Sequence, residues 1–183
     1  EAEDQRIAIT CCSGNTVAFL DPSGKTVWQV TGEHFESLDV GRFFPEVPGA
    51  QCVIDIDHQA PGKSPIVVFD RDGGLLARIT TPYSRHHCLL DWDGDGADEI
   101  LVGGNQAIYH HSGRRMATLA VPDAALAEEK GFETSILPAD MTGDGVPDVL
   151  VVTPTSVTIF RNPGGRCPTP PHPLGTGPNF TLY

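Results

Sequence analysis

The fold is decided by the stretch Asp91-Trp92-Asp93-Gly94-Asp95-Gly96-Ala97-Asp98-Glu99, which lies between two short apolar runs, 88–90 and 100–102. A similar stretch begins 49 residues later, and it reads Asp140-Met141-Thr142-Gly143-Asp144-Gly145-Val146-Pro147-Asp148. It also lies between apolar runs. Self-similarity at a period of about fifty residues indicates a repeat architecture in which each repeat is one supersecondary unit.

Short apolar runs bounded by turn residues continue outward from both copies. They are rich in Val and Ile and are separated by Gly, Pro, Asp and Ser, a composition typical of β-strands. Four strands in a unit of this length predict an all-β chain of β-propeller blades, about three and a half of them within residues 1–165. The predicted units are a half blade at 5–30 and blades at 35–80, 84–121 and 133–162, followed by a Pro- and Gly-rich tail at 166–183 that holds a possible ring-closing strand. One short helical insertion is expected at 123–130.

A closed propeller needs roughly four to eight blades, so three and a half leave an unpaired sheet edge, which folded proteins avoid. We therefore predict that the ring is completed by a remaining propeller segment or by a second copy of the chain. The alternative is a small propeller of four blades that the carboxy-terminal strand closes.

The two acidic stretches are predicted to bind Ca²⁺. A hard cation takes six to eight oxygen ligands, and a tight loop with alternate side chains turned inward supplies them. Glycines between the acids permit the positive φ angles that such a loop needs. An EF-hand is excluded, because it would require a helix on each side of the loop. The predicted ligands are Asp91, Asp93, Asp95, the Ala97 carbonyl and Glu99 in the first loop, and Asp140, Thr142, Asp144, the Val146 carbonyl and Asp148 in the second.

The two loops are not equivalent, because Thr142 stands where the first loop has an acid, so the second is expected to bind Ca²⁺ more weakly. The blade at 35–80 has lost most of these acids, and no metal is expected there. The whole chain has 24 acidic and 12 basic residues, a net charge of −12. That balance excludes a phosphate-binding surface and hence a nucleic-acid partner, and no apolar run is long enough to cross a membrane.

At these loops the chain resembles the FG-GAP, integrin α-type propeller repeat, over roughly residues 35 to 161. Three further features are similar to secreted rhamnogalacturonan lyases and rhamnose–glucuronate lyases: the loop 44–51, the pair His86-His87 before Asp91, and the ending 174–183. The resemblance implies a secreted, Ca²⁺-dependent enzyme that cleaves uronate-containing plant polysaccharide by β-elimination. The sequon Asn179-Phe180-Thr181 agrees with secretion and a glycoprotein.

Such a lyase needs a base for the proton α to the uronate carboxylate and a cation to neutralise that carboxylate. In a propeller, the loops opposite the metal loops converge on the axis and supply these groups. The candidates for catalysis there are His86, Arg85, Tyr83 and, in the neighbouring blade, His58; those for substrate binding are His34, Asn105 and Glu133. The alternative function is a non-catalytic carbohydrate-binding or adhesion propeller that calcium stabilises.

Overall fold

A computed structural model describes residues 5–59, 63–82, 87–121 and 134–163 of the chain. It confirms the predicted fold class, because these residues form consecutive antiparallel sheets that pack as propeller blades. The first sheet contains β1 (Ile7–Cys11), β2 (Thr16–Leu20) and β3 (Thr26–Thr31), and the second contains β4 (Phe35–Gly41), β5 (Gln51–Ile56), β6 (Ser64–Phe69) and β7 (Leu75–Thr81). The third contains β8 (His87–Leu90), β9 (Glu99–Val102), β10 (Ala107–Tyr109) and β11 (Arg115–Thr118), and the fourth contains β12 (Ser135–Ala139), β13 (Asp148–Val152) and β14 (Val157–Phe160). We call these sheets blades 1 to 4.

Blade 1 begins at the second strand of the repeat. Its β2–β3 pair has a bulge after Phe19 and its β6–β7 counterpart has one after Val68. The turns that follow are also alike, because Asp21 and Asp70 each accept hydrogen bonds from the backbone N–H groups two and four residues later. Strand β1 therefore corresponds to β5, and the described part of blade 1 has no counterpart of the innermost strand β4.

The first strands of blades 2, 3 and 4 lie side by side at the centre of the array, since β4 contacts β8 and β8 contacts β12. Strands β4 and β8 run in the same direction: His87 lies beside Asp39, and further along Leu89 lies beside Gly41. The loops that follow these strands therefore lie at one end of the array. The residues that precede β4 lie at the opposite end.

Apolar side chains between neighbouring blades form the core. One cluster joins blades 1 and 2 around Phe19 and Ile54, a second joins blades 2 and 3 around Val68 and Ile100, and a third joins blades 3 and 4 around Leu101. Strands β5, β6, β9 and β10 are buried along their whole length, because each is covered on both faces.

Among the described residues, nothing covers one apolar face of each of the two end blades. On blade 4, the side chains of Leu137, Val157 and Ile159 are 44%, 62% and 48% exposed, and on blade 1 those of Ile7 and Ile9 are 47% and 42% exposed. The described blades therefore form an open array in which only the two middle blades have a neighbour on each side.

Candidate metal centre

The loop between β8 and β9 is wrapped around the carboxylate of Asp91. Its Oδ1 accepts a hydrogen bond from the Gly94 N–H at 2.8 Å, and its Oδ2 accepts one from the Gly96 N–H at 3.1 Å. Both glycines have positive φ angles, 79° and 91°, which side chains with a Cβ rarely adopt. The loop is closed by Glu99, the first residue of β9, whose Oε2 accepts a hydrogen bond from the Trp92 N–H at 2.8 Å.

Asp95 and Asp98, two other acids of the loop, point in different directions. Asp95 stays in the turn, where its Oδ1 accepts a hydrogen bond from the Ala97 N–H at 2.8 Å. Asp98 turns away toward blade 2, where its Oδ2 accepts a hydrogen bond from the Arg42 N–H at 2.6 Å. The acids at alternate positions of the loop therefore turn inward, and Asp98, which lies between two of them, instead contacts blade 2.

The inward carboxylates of the first loop meet at one point. Asp91, Asp93 and Glu99 each offer one oxygen, and these oxygens all lie within 4.8 Å of one another. The Glu99 side chain is completely buried, and among the described residues its Oε1 has no hydrogen-bond partner. A buried carboxylate oxygen without a partner lowers the stability of the fold. A cation at this point would be such a partner. The donor set, oxygen only, fits Ca²⁺.

The charges in the loop also favour a bound cation. Burial is the largest cause that raises the pKa of Glu99 to about 7, and the neighbouring carboxylates of Asp93, Asp95 and Asp91 raise it further. Burial also raises the pKa of Asp91. Four acids held this close repel one another unless a cation neutralises them.

The loop between β12 and β13 has the same backbone design. The corresponding hydrogen bonds are those from the Gly143 and Gly145 N–H groups to Asp140, from the Met141 N–H to Asp148 and from the Val146 N–H to Asp144, at 2.7 to 3.1 Å. The structure thus brings four of the five predicted ligand positions of the second loop into one turn, and the fifth, Thr142, hydrogen-bonds to Asp144.

Two of the acids in the second loop already have protein partners. The Oδ1 of Asp148, unlike the corresponding Oε1 of Glu99, accepts a hydrogen bond from the Asn162 N–H at 2.9 Å. Asp144 forms an ion pair with Arg161, with 3.4 Å between Nη2 and Oδ2. A cation in this exposed loop would have to compete with these partners, a physical reason to expect weaker binding than in the first loop.

Blade 2 fills the corresponding space with a side chain. Gln51 pairs with Gly41 as Glu99 pairs with Leu90, so the two side chains occupy equivalent positions. The Gln51 Oε1 accepts hydrogen bonds from the N–H groups of Phe43 and Phe44, at 2.8 and 2.7 Å. Its Nε2 group lies within 3.0 to 3.2 Å of three backbone carbonyl oxygens, those of Phe44, Val47 and Gly49. The Gln51 amide thus closes the blade 2 loop with both a donor and an acceptor.

The interpretation of the sequence missed this role of Gln51. A signal was present, because Gln51 directly precedes an apolar strand, as Glu99 and Asp148 do. Alignment on the acids alone concealed it, since the loop in blade 2 is longer and carries few of them.

At the end of the array opposite the acidic loops, two of the predicted residues meet. The rings of His34 and His58 pack edge to face with their centroids 4.3 Å apart. Asn105, which was predicted to bind substrate, donates a hydrogen bond from Nδ2 to the Tyr109 hydroxyl at 3.0 Å. The predicted residues Tyr83, Arg85, His86 and Glu133, the helical insertion at 123–130 and the tail at 166–183 lie outside the described residues.

His87, the neighbour of the predicted base, is a buried core residue. Its Nε2 lies 3.2 Å from the Val53 carbonyl and 3.7 Å from Asp39 Oδ2, and its Nδ1 lies 4.0 Å from Asp55 Oδ1. Burial raises the pKa of Asp39 to about 7 and that of Asp55 to about 6. His87 therefore links β8 of blade 3 to both β4 and β5 of blade 2.

The comparisons with known proteins agree with a propeller repeat. Residues 91–151 match the FG-GAP-like repeat family, and no curated protein matches the chain. No helix of the described residues is long and apolar enough to span a membrane.

Several solved structures are similar to the chain. They include a protein of unknown function from Bacteroides caccae (12% identity, TM-score 0.44), BBS1N in complex with ARL6DN (10%, 0.42) and the exotype rhamnogalacturonan lyase YesX (16%, 0.42). The alignments cover 87%, 86% and 72% of this chain, but only 57%, 62% and 30% of those proteins. The described residues form β-propeller blades, and residues 91–151 match the FG-GAP-like repeat.

Proposed function

We propose that the loop from Asp91 to Glu99 binds one Ca²⁺ ion and that this ion is part of the folded blade. The observation that carries the proposal is the Glu99 carboxylate: its buried Oε1 has no hydrogen-bond partner among the described residues, and one of its oxygens lies within 4.8 Å of oxygens of Asp91 and Asp93. Asp91, Asp93, Asp95 and Glu99 would hold the ion with the Ala97 carbonyl. The ion would neutralise the repulsion between these acids.

Calcium titration by calorimetry should resolve a tight site and a weaker one. Glu99→Gln should remove the tight site, and Thr142→Asp should strengthen the weak site about tenfold by restoring a carboxylate, an increment of about 1.4 kcal/mol. Thr118→Asp, on an exposed position of β11, is the matched control and should leave both sites unchanged. A titration with no heat at either loop, or one that Glu99→Gln does not alter, would contradict the proposal.

We further propose that the protein is secreted and that its blades form part of a polysaccharide lyase acting on rhamnose- and uronate-containing polymers. Support comes from the lyase-like segments of the sequence and from the meeting of His34 and His58 opposite the acidic loops. In this proposal Arg85 pairs with the substrate carboxylate, and His86 or Tyr83 takes the α proton. The β carbon–oxygen bond then breaks, the other of these two residues donates a proton to the leaving oxygen, and an unsaturated uronate remains.

Incubation with rhamnogalacturonan or gum arabic should raise the ultraviolet absorbance of the unsaturated uronate. Arg85→Ala and His86→Ala should each reduce the rate at least about a hundredfold, which is the usual contribution of a positioned acid or base. His110→Ala, next to an outer turn, should not reduce it. Binding of these polymers without any rise in absorbance would instead identify a carbohydrate-binding propeller.

We also propose that another propeller blade covers the exposed face of blade 4. Leu150 and Ile159 on this face correspond in register to Leu101 and Ile108 of blade 3, which are fully buried against blade 4. The equivalent positions of blade 3 thus already form an interface between two blades. A further blade would present the complementary face, and it would come from a remaining propeller segment or from a second copy of the chain.

The test uses the chain in solution, where the complementary face of blade 1 in another molecule is available. Wild-type protein should self-associate in analytical ultracentrifugation, and Ile159→Lys should weaken that association at least tenfold. Arg115→Lys on exposed β11 serves as the control. A wild-type chain that remains monomeric at high concentration would rule out a second copy as the source of the covering blade.

A further inference from the structure

A second cluster of metal-ligand side chains lies where blades 1 and 2 meet, at the end of the array away from the acidic loops. It contains Cys12, from the turn after β1, His34, from the loop before β4, and Glu36, on β4 itself. The Cys12 Sγ lies 3.2 Å from His34 Nε2, and the same nitrogen lies 3.1 Å from Glu36 Oε2. The three ligand atoms all lie within 4.8 Å of one another.

The geometry argues against a cysteine nucleophile with a relay through histidine. Such a relay needs the thiol on one ring nitrogen and the carboxylate on the other. Here Cys12 and Glu36 both approach Nε2 of His34. A single N–H group could only be shared between the two in a bifurcated hydrogen bond, whereas a cation among the three atoms would contact all of them.

The donor types indicate a borderline-soft metal rather than calcium. Thiolate and imidazole ligands select Zn²⁺, whereas Ca²⁺ takes oxygen. Tetrahedral zinc places sulfur and nitrogen ligands about 3.5 Å apart and nitrogen and oxygen ligands about 3.4 Å apart, from the usual bond lengths, close to the separations observed here. A thiolate and a carboxylate would also balance the two positive charges of the ion.

We propose that Cys12, His34 and Glu36 form a Zn²⁺ site with three protein ligands and one position open to water or to an anionic ligand. The Glu36 side chain is 4% exposed and that of His34 is 22% exposed, so the site is anchored in the core and reachable from solvent. His58 packs edge to face against the His34 ring and fixes the ring plane. The site is separate from the acidic loops, which lie at the opposite end of the array.

The neighbouring cysteine provides a matched control. Cys11 is exposed and belongs to no such cluster among the described residues. The full chain, stripped of metal and then saturated with Ca²⁺, should bind one Zn²⁺, and Co²⁺ in its place should give a thiolate-to-cobalt charge-transfer band. Cys12→Ser should remove that band and weaken zinc binding at least about a hundredfold, whereas Cys11→Ser should retain both.

A measurement on the unaltered protein covers the case in which Cys12→Ser does not fold. Zn²⁺ should slow the alkylation of Cys12 by iodoacetamide at least tenfold, as read by peptide mass spectrometry, and should leave the alkylation of Cys11 unchanged. Zinc that protects both cysteines equally, protects neither, or binds equally well to Cys12→Ser would overturn the proposal. The readouts do not depend on calcium binding or on lyase activity, so failure of either function does not affect them.

Discussion

Removal of calcium is expected to lower the melting temperature of this protein by about 5 to 10 °C, and Glu99→Gln is expected to abolish most of that response. An ion at one hundred times its dissociation constant stabilises the native state by about 2.7 kcal/mol. For a domain of this size each kcal/mol corresponds to about 2 to 4 °C. Glu99 is the sensitive position because its carboxylate is buried among acids that raise its pKa.

The order of the two melting temperatures is the informative part of the experiment. With chelator present, Glu99→Gln should melt above the wild type, because a neutral amide removes a buried negative charge and can still accept the Trp92 N–H. With calcium present, the variant should melt below the wild type. Asp72→Asn, an exposed acid in the β6–β7 turn, should keep the full calcium response. Parallel responses of Glu99→Gln and wild type would show that Glu99 does not bind the ion.

Replacement of Gln51 is expected to produce the second large effect. Gln51 is 1% exposed, its amide oxygen accepts hydrogen bonds from two backbone N–H groups, and its Nε2 lies within 3.0 to 3.2 Å of three backbone carbonyl oxygens, all of residues 43–49. Gln51→Ala leaves two N–H groups and three carbonyl oxygens without that partner, and the free energy of unfolding should fall by about 4 kcal/mol. Chemical denaturation measures it, with exposed Gln29→Ala as a control expected within about 0.5 kcal/mol of wild type.

Gln51→Glu tests whether the amide occupies the space of a cation. A carboxylate here would keep an acceptor for Phe43 and Phe44 but would turn an oxygen toward three carbonyl oxygens. The variant should be destabilised in chelator and should recover part of that loss in calcium. The same substitution at Gln29 should show neither effect. If Gln51→Glu were as stable as wild type without calcium, the Gln51 amide would not occupy the space that a cation would fill in the loop from Asp91 to Glu99.

The uneven outcome of prediction from sequence has a physical cause. The strands and the acidic loops were predictable because their signals are local: β-branched runs alternate with turn residues, and glycines separate the inward acids from one another. The repeat then placed Glu99 and Asp148 at the same position in two blades. Differences between the loops were predictable only in part, since Thr142 is visible in the sequence but the hydrogen bond from Asn162 to Asp148 is not.

Contacts between residues far apart in the chain could not be predicted from the sequence. Cys12 meets His34 and Glu36 only because β1 packs against β4, and nothing near Cys12 in the sequence indicates this contact. His87 stands next to His86 in the sequence, and only the structure shows that its side chain is buried against Asp39 on β4 and Asp55 on β5 of blade 2.

The sequence alone was sufficient for the all-β repeat, the order of strands within a blade and the two acidic loops, because each is encoded by residues close together in the chain. Three properties became visible only in the tertiary structure of the described residues: which carboxylate oxygen is buried there without a partner, which loop a glutamine amide closes, and which blade faces these residues leave uncovered. These properties depend on burial and on distances across blades, and both arise only when separate repeats pack against one another.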